Sequence, residues 1–241
     1  MNIKILKNEE QLGMAAANLF VSQVINKPDS ILGFATGSSP LSTYKYIIKA
    51  YSDGIADFSG ITTFNLDEYC GLKEDHSCSY HYFMNENLFN HINVPKDKVH
   101  VPSGVSENVD EECKNYDLAI DNAGGIDIQL LGIGNNGHIA FNEPADDFGF
   151  GTHKVALTES TIEANKRFFN DISEVPLFAV SMGIGSIMKA RKIIIIAIGK
   201  SKAQAVYDMI NGDVTPMVPA SVLRFHQDVT VLLDEGAASL L

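Results

Sequence analysis

Residues Ile193-Ile194-Ile195-Ile196-Ala197-Ile198 form an aliphatic run with no polar alternation. A strand of this kind is buried on both faces, and such sheets are built from parallel strands joined by helical crossovers. Shorter apolar runs recur at 3–6, 31–34, 61–66, 99–101, 126–133, 178–182 and 229–233. Amphipathic segments separate most of them. Asn8, with Gln11 three residues on, predicts the start of a helix running to about Asn26, its buried face carrying Leu12, Ala16, Phe20 and Val24. Further helices are expected over Leu41–Tyr51, Tyr80–Ile92 and Val109–Asp121, from Thr158–Thr161, after Gly183–Gly185 and from Lys200 onward. The alternation predicts one α/β domain over 1–241, an open, mostly parallel sheet with helices on both faces.

At 241 residues, 45% of them hydrophobic and 20% charged, the chain can bury a substantial core and is not disordered. A net charge of -12 argues against nucleic acid or an anionic membrane as partner, since both are gripped by clustered Lys and Arg. Cys70, Cys78 and Cys113 are odd in number and lack C-x-x-C spacing, which suits reduced thiols in a cytoplasmic protein. The first ten residues contain no signal-peptide core, and no apolar run approaches the roughly 18 residues of a membrane span.

The chemistry is concentrated after the run at 126–133, where Gly132-Ile133-Gly134-Asn135-Asn136-Gly137-His138 leads to Glu143 and Pro144. The glycines match G-x-G-x-x-G, but a dinucleotide site needs a long helix opening on the last of them, and Pro144 stops any such helix. Glycines here more readily serve a sharp turn and a close approach of backbone to ligand. Histidine is the side chain whose ordinary pKa lies nearest neutrality, so the residue type at 138 suits proton transfer, with the Glu143 carboxylate close by in sequence. A second acid pair, Asp67-Glu68, ends the strand at 61–66; adjacent side chains diverge, so one acid at most enters a cleft. Thr36-Gly37-Ser38-Ser39, followed by Pro40 at the expected first helical position, joins a strand to a helix and offers free N–H groups to an anion, although a plain helix cap uses the same residues. Lys202 near a helix start is unfavourable without a nearby anion. Arg167 reads as a surface cation, and Tyr80, Phe83, Leu88 and Phe89 read as core.

These residues together resemble the glucosamine-6-phosphate deaminase family. The resemblance rests on Leu32 through Pro40, Asn65-Leu66-Asp67-Glu68-Tyr69, Gly132 through Pro144, Asn165-Lys166-Arg167-Phe168-Phe169 and Gly199-Lys200-Ser201-Lys202-Ala203. It implies a Rossmann-like single domain that binds a small sugar phosphate and uses neither metal nor organic cofactor. The family reaction converts glucosamine 6-phosphate and water to fructose 6-phosphate and ammonia. Carried onto this chain, His138 opens the sugar ring, assisted or oriented by Asn136 and Glu143. Asp67 moves the C2 proton to C1, and Thr36, Gly37, Ser38, Ser39, Arg167 and Lys202 hold the phosphate. The segment from His138 to Pro144 separates this reading from the related 6-phosphogluconolactonases; the other alternative, a non-catalytic sugar-phosphate sensor, would keep the Thr36–Ser39 turn and drop Asp67 and His138. A monomer or small homo-oligomer is expected.

Two departures from the family pattern stand out. The best-known members carry aspartate where this chain has Asn136; an asparagine can orient the imidazole but cannot stabilise its cation as a carboxylate would. Allosteric members carry an Arg-x-Lys pair and a longer tail, whereas this chain reads Thr152-His153-Lys154-Val155. Hyperbolic kinetics without an activator are therefore expected.

Overall fold

The computed structural model describes residues 1–166, 169 and 171–241. Its main sheet contains β1 (Asn2–Leu6), β2 (Ile31–Phe34), β3 (Thr62–Asn65), β5 (Val99–His100), β6 (Ile128–Gly132), β9 (Ile193–Ala197) and β10 (Val229–Asp234). Their spatial order is β1-β10-β9-β6-β2-β3-β5, and every pairing is parallel. The expected open parallel α/β sheet is what the chain forms.

The isoleucine run at 193–197 shows why the sheet needs cover on both sides. Ile193, Ile195 and Ala197 enter one apolar core while Ile194 and Ile196 enter the other. Helices α1 (Glu9–Asn26) and α2 (Leu41–Ser52) cover the second core. They approach closely at Gly13, where a Cβ would lie 2.1 Å from Ser42 Oγ. The first core is covered by α4 (Val109–Ala123), α6 (Ile184–Met188) and α7 (Ala203–Asn211). Asn8 caps α1 as its sequence suggests, accepting from the Gln11 N–H at 2.9 Å. Among the described residues no helix is long and apolar enough to cross a membrane.

Three expectations are corrected. Asp67, Glu68 and Tyr69 do not cap the strand before them; they form β4, which pairs antiparallel with β8 (Phe178–Ser181). Strand β8 in turn pairs antiparallel with β7 (His153–Ala156), giving a second sheet of order β4-β8-β7. Strand β4 has three residues, too few to display a period of two, and none of the four residues of β7 is buried, so no apolar run marks it. Helix α3 (Tyr80–Asn87) ends earlier than expected, and a 3-10 turn follows over Phe89–His91. Pro40 occupies the N-cap of α2, one residue ahead of its expected place.

Chain order reverses between β2 and β6. From β2 the connections run outward to β3 and β5; from β6 they run the other way to β9 and β10. The crevice outside the carboxyl ends at such a reversal is where open α/β sheets bind ligands.

Candidate active site

The four strands β9, β6, β2 and β3 lie side by side at this reversal. The segments that follow them carry Lys202, His138, the Thr36–Ser39 turn and Asp67. All of these, with Asn136, line one cavity of about 510 Å³. Glu143 stands behind His138, outside that lining, and Arg167 lies outside the described residues.

The loop after β6 is shaped to present the imidazole. Gly137 has φ +85°, where other residues are strained, and Gly134 faces the His138 ring so closely that a Cβ there would meet it at 2.4 Å. Gly134 N–H donates to the His138 carbonyl at 2.8 Å and Gly137 N–H to the Gly134 carbonyl at 3.1 Å, closing the turn. No helix opens on Gly137, which disposes of the nucleotide motif. Beyond it, Asn142 donates to the Ile139 and Met182 carbonyls, both at 2.9 Å, which pins the loop to the segment after β8.

Glu143 is largely buried and approached by three groups. Thr161 Oγ1 donates to its Oε1 at 2.6 Å, Asn136 Nδ2 donates to its Oε2 at 2.6 Å, and His138 Nδ1 lies 3.1 Å from Oε1. The imidazole contact is close but too bent to count as an aligned hydrogen bond. Burial alone would raise the Glu143 pKa; His138, Thr161 and Asn136 outweigh it and bring the group down to about 2. Asn136 does not meet the imidazole: its oxygen accepts from the His138 main-chain N–H at 3.2 Å while its amide holds Glu143.

Asp67 and Glu68 diverge as adjacent strand residues must. Glu68 turns away from the cavity and accepts from the N–H groups of Tyr69, Tyr80 and His81 at 2.8, 2.9 and 2.9 Å, which caps α3. Asp67 faces the cavity, and its buried Oδ1 has no hydrogen-bond partner. Desolvation by burial, aided by the Glu68 charge, pushes the Asp67 pKa up to about 8. A buried carboxyl oxygen without a partner is costly, and such strain is found where a group awaits a ligand.

The Thr36–Ser39 turn and Lys202 form the third wall. Gly37 has φ +96°, Pro40 supplies no side-chain cap to α2, and the Leu41 N–H donates to the Ser38 carbonyl at 3.3 Å, which leaves Thr36 to Ser39 as the part of the helix entrance that lines the cavity. Lys202 ends a 3-10 turn whose start, Gly199, donates its N–H to both Asp234 carboxyl oxygens at 2.9 and 3.0 Å.

Some lining residues escaped the sequence reading. Tyr80 and Phe83, expected in the core, both line the cavity, as do Tyr69 and Thr161. Tyr80 donates its hydroxyl to that of Tyr69 at 3.2 Å. The available signal was the position of Tyr80 at the start of a helix following an acid pair; aromatic spacing alone does not separate core from cavity wall.

A carboxylate, an imidazole and the small-residue turn that enters α2 surround one cavity at the carboxyl ends of a parallel sheet, and make this an α/β enzyme. The chain belongs to the family of glucosamine-6-phosphate isomerases and 6-phosphogluconolactonases, whose pattern it matches over residues 7–232. It is 53% identical over 241 residues to a glucosamine-6-phosphate deaminase of Thermoanaerobacter sp. (strain X514), covering all of this chain and 95% of that one. It is 51% identical to the corresponding deaminase of Clostridioides difficile (strain 630), covering all of this chain and 97% of the relative. Among solved structures, a monomeric glucosamine-6-phosphate deaminase superposes with a TM-score of 0.98 at 43% identity, covering both chains completely. A 6-phosphogluconolactonase from Trypanosoma brucei shares the fold, with a TM-score of 0.76 at 19% identity, covering all of this chain and 98% of that one.

Proposed function

We propose that this chain is a glucosamine-6-phosphate deaminase, converting D-glucosamine 6-phosphate and water to D-fructose 6-phosphate and ammonia. The observation that carries the reading is the cavity shared by the Asp67 carboxyl, the His138 imidazole and the Thr36–Ser39 turn. Full-length identity of 51–53% to chains bearing that activity supports it.

The phosphate docks on the N–H groups and hydroxyls of the Thr36–Ser39 turn, with Lys202 and Arg167 supplying positive charge. His138 takes the proton of the anomeric hydroxyl and returns it to the ring oxygen, opening the pyranose. Glu143, held by Asn136 and Thr161, orients the imidazole and stabilises its cation, the task Asn136 as an amide does not perform. Asp67 then removes the proton at C2, leaving an enolamine, and delivers it to C1. Water adds to the resulting imine carbon and ammonia departs, which gives the ketose. A carboxylate whose pKa is lifted by burial is a stronger base once ionised, which suits removal of a carbon-bound proton. By likeness to the monomeric deaminase, the enzyme acts as a single chain.

Incubation with glucosamine 6-phosphate is expected to release ammonia and fructose 6-phosphate in equal amounts. Hydrolysis of 6-phosphogluconolactone without ammonia release, or binding without turnover, overturns the reading. Sedimentation at the mass of a dimer or larger overturns the single-chain state alone.

A further inference from the structure

We propose that Thr161 is a positioning residue for this reaction: its hydroxyl holds the Glu143 carboxylate against the His138 imidazole and so couples α5 (Glu159–Asn165) to the proton-transfer centre. The inference rests on the deaminase reading and adds to it a residue outside the acid, imidazole and phosphate sets.

The geometry is specific. Both oxygens of Glu143 are engaged from outside the imidazole, Oε1 by Thr161 and Oε2 by Asn136, each at 2.6 Å. The contact to His138 Nδ1 is longer, at 3.1 Å, and bent. The carboxylate is therefore aimed by its other two donors, and the imidazole takes its orientation from a carboxylate already fixed. Asn136 pulls from the loop that carries His138, so it moves with the histidine; Thr161 pulls from a different element.

The Thr161 hydroxyl is committed to this bond. The residue is 7% exposed. Thr158, the N-cap of α5, accepts from the Thr161 N–H at 3.3 Å and donates its own hydroxyl to Thr161 Oγ1 at 3.0 Å. With that proton arriving from Thr158, the Thr161 proton is directed onto Glu143. The chain of donors runs Thr158 to Thr161 to Glu143, and the helix cap sets its direction.

Helix α5 also reaches the ligand. Thr161 and Asn165 both line the cavity beside Asn136 and His138. A sugar phosphate touching α5 thus presses on the element that aims Glu143. Among the described residues, His138 is the titratable group that faces Glu143 from the loop, which also presents the uncharged Asn136, and α5 presents the uncharged Thr161; these three contacts hold the carboxylate ionised.

The test uses Thr161→Val, which keeps the shape and removes the hydroxyl, beside Thr161→Ser, which keeps the hydroxyl. Misplaced acid–base groups cost up to about a hundredfold in rate, so Thr161→Val is expected to lower kcat by roughly ten- to a hundredfold, while KM changes by less than about threefold because no phosphate contact is lost. Carbon-13 NMR of the Glu143 carboxyl is expected to show its titration moving up toward the ordinary glutamate range in Thr161→Val and returning in Thr161→Ser. Wild-type kcat in the valine variant, no recovery with serine, or an unmoved Glu143 titration overturns the proposal. Should the valine variant fail to fold, Thr161→Ala takes its place in the same measurements, with the same fall in kcat and the same upward titration expected. Absence of ammonia release by the wild type overturns the deaminase reading instead, and the titration in unliganded protein still decides whether the Thr161 contact holds Glu143.

Discussion

The His138 imidazole lies over Gly134 with no room for a side chain between them: a Cβ at residue 134 would be 2.4 Å from the ring Cε1 and Nδ1. The obstructed group is a movable ring rather than backbone. Gly134→Ala is therefore expected to displace the imidazole while leaving the fold intact. Activity should fall about a hundredfold, since a shift near 1 Å at a reacting group costs that much, with a stability loss of about 1–2 kcal/mol from overpacking. Kinetics and thermal unfolding of this variant check both halves; full activity shows that the ring is not seated there in the working enzyme.

Asp67 connects catalysis to stability with an unusual sign. Its folded-state pKa of about 8 lies above the ordinary 3.8. The folded state thus holds this proton more tightly than the unfolded chain. The stabilising contribution is fully present below pH 3.8 and is lost as pH rises through about 8. Asp67→Asn removes the titration, so its stability relative to wild type should grow across that window, reaching the order of a few kcal/mol. The same variant should lose turnover and the exchange of the C2 proton with solvent while still binding the sugar phosphate. In the wild type, kcat/KM should climb toward about pH 8 as the carboxyl ionises. Denaturant titrations at several pH values and a pH–rate profile decide; a stability difference that does not vary with pH rejects the buried-acid account.

Glu143 carries the opposite sign. Its folded pKa, brought down to about 2 from 4.5, gives a contribution present above pH 4.5 and lost as pH falls through about 2. Glu143→Gln should therefore cost stability at neutral pH but not near pH 2, and should slow turnover by impairing ring opening. Equal destabilisation of this variant at both pH values, measured by urea unfolding, contradicts the assignment.

How far this arrangement could be read in advance depended on whether a residue followed a long periodic element. Asp67, His138, Lys202 and the Thr36–Ser39 turn each follow a buried strand of the parallel sheet, and their convergence follows from strand order at a switch point. The second sheet was hidden because β4 has only three residues and β7 buries none of its four, leaving no apolar run to mark it. With it was hidden the fact that Asp67 sits within a strand. Thr161 was hidden for another reason: its partner Glu143 lies 18 residues away, and a buried hydroxyl leaves no charge or periodicity in a sequence. Asn136 shows the limit of a motif, since its place in the loop was legible but its bond to the carboxylate rather than the imidazole was not.

The anion cradle makes a separable prediction. Lys202 is carried by a turn that begins at Gly199, with φ +88°, and Asp234 clamps the Gly199 and Ala237 N–H groups. Lys202→Met should raise KM by about ten- to a hundredfold, the worth of one charge-assisted contact to phosphate, with little change in kcat. Asp234→Ala should move KM in the same direction by less, because it loosens the turn without removing the charge. Inhibition by inorganic phosphate should weaken in parallel. A fall in kcat at constant KM places Lys202 in the chemistry and not in the cradle.

Regulation supplies the remaining prediction. Members of the family with an allosteric activator carry an Arg-x-Lys pair, and the matching positions here are His153 and Val155, on edge strand β7. The neighbouring cation is engaged elsewhere: Lys154 Nζ lies over the Phe178 ring, 4.4 Å from its centre, on strand β8. His153 turns its Nδ1 to the Gly151 carbonyl at 3.0 Å. A second anion site at this place would have to form on one engaged lysine and an aliphatic side chain, and coupling between sites requires that an effector bind one state better than another. Velocity is therefore expected to rise hyperbolically with glucosamine 6-phosphate, and N-acetylglucosamine 6-phosphate should leave the curve without an activated phase. A sigmoidal curve relieved by that compound locates an effector site elsewhere on the chain and overturns the inference from β7.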